Sequence, residues 1–303
     1  MDQTSTARSI MFAVIAMGIA FSASGLIIGH LVQSAYATHP GHSHSNDGNN
    51  GGSNDGNNGG SNENSPLTAQ QATTTVSAEQ AQTNPACGQT VSGVVSLTAN
   101  LNCSGDGIIV GGPNTVINMN GFSITGPGKD SSKVGIMAPN VDNVVVHGPG
   151  SISNFQAGAL LTGANGFKIN SVILSGNQLG TFMTGAENAE LRQNIIQNNN
   201  IGVASHSSKG AAIDSNLMSG NLLAGVTFVD TLNSKVAMNS VHGSQNGIFL
   251  DGQSSNNAID ANNLQGNVVD LNNANGLPTN INNNQYTENN CETSNPSGLC
   301  VGR

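Results

Sequence analysis

One histidine and two aspartates recur at matched places in three successive repeats of this chain. His206 follows Gly202 by four residues, Asp251 follows Gly247 by four, and Asp230 follows Gly225 by five. If the repeats stack as rungs about 4.8 Å apart, the three side chains fall on one edge within roughly 10 Å of each other. An imidazole between carboxylates suits an acid–base pair or a metal ion. The plainer alternative is an exposed turn carrying ordinary polar residues. A second group, His39, His42 and His44, lies in Thr-His-Pro-Gly-His-Ser-His-Ser. Imidazoles at this density bind Cu, Ni or Zn, with modest affinity where the surrounding chain fixes no geometry. Leu160, Phe182 and Phe249 form part of an apolar stripe that suits a ligand surface, in a chain with no Trp and two Tyr to stack on sugars.

Familiar polysaccharide-cleaving constellations are missing. Paired carboxylates for glycoside hydrolysis would show as Asp-Asp with a Gly-His-Gly, and neither occurs. Calcium-assisted β-elimination needs clustered acids and an Arg base. After residue 86 the arginines are Arg192 and Arg303, and there is no Asp-x-Asp or Asp-Pro-His-Asp. The balance leans away from an enzyme, with a site of unfamiliar type on His206, Asp230 and Asp251 as the form catalysis would take.

The elements that must position these residues follow from a repeat. Gly135, Gly158, Gly180, Gly202, Gly225 and Gly247 recur every 22 or 23 residues, each opening a short strand-like stretch. Two apolar columns keep the same step: Ile169, Leu191, Ile213, Val236, Ile259, and Leu174, Ile196, Met218, Val241, Leu264. So do two asparagine columns, Asn194, Asn216, Asn239, Asn262 and Asn177, Asn199, Asn221, Asn267, interrupted at Val172 and Ser244. Gly and Asn at this density exclude helix, whereas short strands between Asn/Gly/Ser turns at a fixed period describe a parallel β-helix of about nine coils. Stacked asparagines would pass amide hydrogen bonds along the axis, in the left-handed turn conformation that Asn tolerates. The first and third residues after each glycine face the core. The second, Met137, Leu160, Phe182, Ala204, Thr227 and Phe249, faces outward. An outward stripe this apolar implies cover by a loop or tail, or a partner surface. Lys168 with Glu190 and Arg192 with Asp214 should pair across rungs.

Charge and cysteines bound the setting. The formal net charge is −9 and no basic stripe exists, which excludes nucleic acid as a partner. Arg8 precedes an apolar run from Ile10 to Val32, followed by Ala35-Tyr36-Ala37, a signal-peptide pattern whose cleavage after Ala37 would export residues 38–303. The run is long enough to serve instead as a retained membrane anchor. Residues 38–86 read as a polar His/Asn/Gly/Ser spacer, and residues 87–303 as the coils. Four cysteines allow three pairings. A long solenoid keeps its ends apart, which selects Cys87 with Cys103 and Cys291 with Cys300, each stapling a terminal coil in an oxidising compartment.

Cys-Gly-Gln-Thr-Val, Leu-Asn-Cys-Ser-Gly-Asp-Gly-Ile-Ile-Val and Val-Ile-Asn-Met-Asn-Gly-Phe-Ser-Ile-Thr-Gly, between Cys87 and Gly128, resemble the first coils of secreted right-handed parallel β-helix repeat proteins. Asn118-Met119 stands where that pattern has Asp-Leu, and Phe122 where it has His. The ending through Cys291 and Cys300 is similar to that family's cap, with Gln285 in place of Trp. The coils also resemble the pectate-lyase-like superfamily, including NosD-type copper-enzyme maturation proteins. The resemblance implies an exported right-handed β-helix. It leaves the activity open, because this fold carries many.

The expected function is therefore a secreted or cell-surface binding or structural module acting on polysaccharide or other surface glycans. The first alternative is a carbohydrate-active enzyme. The second is an extracytoplasmic metal-handling protein using Cu, Zn or Ca. A membrane is a partner only through an uncleaved N-terminal segment.

Overall fold

The computed structural model describes residues 82–278 and 280–300. The signal or anchor segment, the spacer and His39, His42 and His44 lie outside the described residues. The coils form an all-β parallel solenoid of about nine turns, with no helix among the described residues. Three parallel sheets of ten, ten and nine strands run along it. Each coil crosses them in turn, as in Leu179–Thr184, then Glu190–Arg192, then Ile195–Gln197. The long-strand sheet holds the six-residue segments that open at the periodic glycines.

Register follows the sequence columns. Ile169 pairs in step with Leu191, Ile213, Val236 and Ile259. Leu174 does so with Ile196, Met218, Val241 and Leu264. These residues, all 0% exposed, fill the core. Strand pairing is already in place before Cys87, since Gln82–Thr83 pairs with Val95–Ser96.

The asparagine ladders are hydrogen-bonded as stacked amides. Asn194 donates its backbone N–H and its Nδ2 to Asn216 Oδ1, at 2.9 and 3.0 Å, and Nδ2 also reaches the carbonyl of Ile169 at 2.9 Å. The same bonds repeat at Asn216, Asn239 and Asn262, and Asn289 extends the column by one rung. At Ser244 the second column keeps only the backbone link to Asn267, and the Ser244 hydroxyl is left without a partner. One expectation is corrected here. The ladder asparagines are not the left-handed residues. That conformation falls on the residue before each of them, Gln193, Ser215, Met238, Ala261 and Glu288, at φ of 51–56°. The preceding residue makes the corner, which leaves the asparagine side chain to turn inward and satisfy the buried backbone of both rungs.

Close approach explains the periodic glycines. A Cβ at Gly202 would lie 2.5 Å from the carbonyl oxygen of Gly225 one rung on, and one at Gly158 would lie 2.6 Å from that of Gly180. Any side chain there would push rungs apart. The disulfides Cys87–Cys103 and Cys291–Cys300 both form, near the two ends.

Candidate functional site

Three residues of each long strand point away from the core, at one position before the glycine and at two and four after it. The first two columns form a second apolar cluster of Val134, Met137, Ala157, Leu160, Leu179, Phe182, Ile201, Ala204 and Ala224, all at most 5% exposed. Leu160, Phe182 and Phe249, expected as a ligand surface, are thus closed to solvent at 0, 0 and 5% exposure.

The third column carries the histidine. In-register pairing sets His206 between Thr184 and Val229. Its side chain is 7% exposed, and Nδ1 is buried without a hydrogen-bond partner. Burial holds its pKa below the ordinary 6.5, against the opposing pull of the Asp230 and Asp251 carboxylates. At neutral pH the imidazole is uncharged.

The two aspartates have structural tasks. Asp251 Oδ1 accepts from the backbone N–H of Asp230 (3.1 Å), Gln253 (3.2 Å) and Ser254 (2.8 Å) and from Ser254 Oγ (2.7 Å), so it builds the turn beyond its strand. Asp230 sits at φ 48°, in a turn position that Gly163, Gly185 and Ser207 fill on earlier rungs with the same left-handed backbone. Its Oδ2 accepts from Ser207 Oγ at 2.8 Å. No hydrogen bond joins His206 to either carboxylate. The three residues are neighbours, as the rung spacing implies, and the carboxylates act on the imidazole through charge rather than through a hydrogen bond. Among the described residues no cluster of three His, Cys, Asp or Glu side chains is arranged to hold a metal, and all four cysteines are in disulfides.

Beside this edge the turns of three coils open a shallow cleft of about 150 Å³. Gly185, Ala186 and Glu187 come from the first coil, Ser207, Ser208 and Lys209 from the second, Asp230 and Leu232 from the third. Lys209 Nζ contacts Glu187 Oε1 at 2.9 Å. The cleft thus presents an ion pair, a hydroxyl and a second carboxylate within one water-accessible hollow. Sequence reasoning had found Asp230 but missed Glu187 and Lys209. The signal was available: the two are successive rungs of one bridged column, Asn165, Glu187, Lys209, Leu232. The ion pairs expected elsewhere do form, Lys168 with Glu190 at 3.0 Å and Arg192 with Asp214 at 3.1 Å.

Among curated proteins no sequence matches the chain. Three solved structures are similar in fold. The periplasmic alginate epimerase AlgG has a TM-score of 0.42 at 14% identity, over 65% of this chain and 58% of its own. The A-module of the Azotobacter vinelandii mannuronan C-5 epimerase AlgE4 gives 0.37 at 13%, over 68% and 74%. The enzymatically active domain of bacteriophage CBA120 tailspike protein 2 gives 0.37 at 10%, over 68% and 47%. The chain therefore spans little more than half the length of the first. Residues 99–298, most of the described coils, match the family described as periplasmic copper-binding protein (NosD), and the chain belongs to that family.

Proposed function

We propose that this protein works outside the cytoplasm as a binding module for hydroxyl-rich ligands of the glycan class, held at the cleft beside the long-strand sheet. The observation that carries this reading is the cleft itself. Ser207, Lys209, Glu187 and Asp230 project from three consecutive rungs, so donors and acceptors repeat at about the 4.8 Å rung spacing, which lets one sugar ring bridge neighbouring rungs. Residues 82–300 carry twelve acidic against six basic side chains. That balance favours neutral or amino sugars over polyuronates. The test is titration of immobilised neutral, amino-substituted and uronate oligosaccharides with the exported chain. Binding of the first two, weakened about tenfold by Lys209→Ala, supports the reading. Absence of binding, or binding unaffected by Lys209→Ala and Ser207→Ala together, overturns it.

The family description favours a second reading, metal handling. The described coils do not fit copper: their cysteines are oxidised, and His206 belongs to no group of three or more His, Cys, Asp or Glu side chains placed to hold a metal ion among the described residues. This reading rests on His39, His42 and His44. Stoichiometric Cu(II) binding that disappears when residues 38–44 are deleted would support it, and binding that survives the deletion would refute that assignment.

A further inference from the structure

Four Asn-Gly pairs occur among the described residues: Asn120–Gly121, Asn165–Gly166, Asn246–Gly247 and Asn275–Gly276. Such a pair has a chemistry of its own. A glycine carries no side chain to hinder its nitrogen from approaching the amide carbon of the preceding asparagine. Three of the four pairs are held by the stack. Gly121 N–H donates to the Pro149 carbonyl at 2.6 Å on the next rung, and Asn120 Nδ2 donates to the Leu97 carbonyl at 3.0 Å on the rung before. Gly166 N–H donates to the Glu187 carbonyl at 2.9 Å, and Asn165 Oδ1 accepts from Asn188 Nδ2 at 3.0 Å. Asn246 lies inside a strand, in register with Ala224 and Val269, and its Oδ1 accepts from Asn272 Nδ2 at 2.9 Å.

Asn275 is placed differently. It lies between the strands Val269–Asn273 and Gln285–Thr287, in the loop that lengthens this coil. The ladder step from Asn257 to Asn284 is 27 residues, against 23 from Ser234 to Asn257. Gly276 is exposed and left-handed at φ 67°, and its N–H reaches only the Asn273 carbonyl of the same turn, at 3.2 Å. Asn275 Oδ1 accepts from Leu277 N–H at 2.8 Å and from Asn282 Nδ2 at 3.4 Å. Both donors address the oxygen that becomes negative when a nitrogen adds to the amide carbon, as in an oxyanion hole.

We propose that Asn275 is a site of self-catalysed deamidation, with water as the only co-reactant. The Gly276 nitrogen gives its proton to solvent base and bonds to Asn275 Cγ, while Oδ1 holds the charge between the Leu277 and Asn282 donors. Collapse breaks the Cγ–Nδ2 bond. Nδ2 takes a proton back from solvent and leaves as ammonia, and a cyclic imide remains. Water then opens the imide at either carbonyl, leaving an aspartate or an isoaspartate at this position. One water enters and one ammonia departs, with no oxidation or reduction. The product adds a negative charge to the last coils and loses the amide that donates to Asn282 Oδ1 at 3.5 Å. That same Oδ1 accepts from Asn284 N–H at 2.9 Å, and Asn284 is the rung that receives Asn257. Conversion therefore acts on the ladder near its C-terminal end. The inference is independent of the cleft and of any glycan.

The test is to hold the folded full chain in mildly alkaline buffer and follow its proteolytic peptides by mass spectrometry. Asn275 should convert at least about tenfold faster than Asn120, Asn165 and Asn246, which react only after local opening of the stack. In concentrated urea the four rates should converge, because every pair is then the same Asn-Gly in an unfolded chain. Like rates in the folded protein, or an intact Asn275 while another of the four converts, overturn the proposal. A lead of Asn275 that persists unchanged in urea also overturns it, since the flanking sequence and not the loop would then be the cause.

Discussion

His206 and Asp251 pose the sharpest question at the scale of single residues, because each is buried and polar for a different reason. Burial disfavours the charged imidazole, so the folded protein takes up the His206 proton less readily than the unfolded chain does. Where the unfolded state binds more protons, stability rises with pH. The His206 contribution is therefore fully present above the ordinary value of 6.5 and is lost as pH falls through 6.5 toward the lower folded value. His206→Gln should flatten the stability profile between about pH 5 and 7, read as urea midpoints against pH. An unchanged slope would mean the imidazole is solvated. Asp251 is different: its Oδ1 gathers four donors within its own turn and the preceding rung. Asp251→Ala should cost about 2–3 kcal/mol, since hydrogen bonds to a charged acceptor are the strong ones. If a glycan is bound at the cleft, its affinity should fall less than the stability does. A loss of affinity at full stability would return Asp251 to the role of a ligand-contacting residue.

At the scale of the element, the unit is one rung, and its residue types are set by what the next rung will tolerate. Asn216 accepts from both the backbone and the side chain of Asn194 and donates to Leu191 and Asn239. Asn216→Ala would leave several buried groups unpaired in the interior and should lower stability by about 3 kcal/mol, at 1–3 kcal/mol for each group left without a partner. Gly202→Ala should cost about 1–3 kcal/mol by overpacking, because the added carbon meets the Gly225 carbonyl at 2.5 Å. Equilibrium unfolding in denaturant measures both. The columns that make these predictions were legible in the sequence, because stacking identical rungs forces identical residue types to recur at the same step. The corner residues were not legible. Gln193, Ser215, Met238 and Ala261 share a left-handed backbone but no side-chain chemistry, so no pattern marks them. The cleft was half legible for a related reason. Its ion pair lies in a turn column occupied by Asn165, Glu187, Lys209, Leu232 and Ser255, where only two of five rungs carry charge. The outward stripe was visible as apolar, but a column of Leu and Phe looks the same whether bare or covered.

The whole molecule raises a problem that no single rung does. A solenoid's stability is the sum of rung terms and nearest-neighbour contacts, so its ends are its weak points. Both ends are reinforced. At the C-terminal end Asp270, 1% exposed, accepts from Glu292 N–H, Thr293 N–H and Thr293 Oγ1 through one oxygen and from Asn267 through the other, closing the ladder that Ser244 had interrupted. Tyr286 is buried, its hydroxyl oxygen accepting from Asn273 Nδ2 at 2.7 Å, and burial raises its pKa. The disulfide Cys291–Cys300 then closes a short loop of sequence separation 9 over this last coil. Loop-closure entropy for that length corresponds to about 2.5 kcal/mol. Replacing both cysteines by serine should therefore loosen the last coil alone. Amides of Tyr286 and Asn290 should exchange with solvent faster by one to two orders of magnitude, while those of Ile213 and Val236, three and two rungs inward, keep their protection. If the inner strands lost protection together with the last coil, the solenoid would be one cooperative block, and the staples at its ends would be holding the entire stack rather than sealing it.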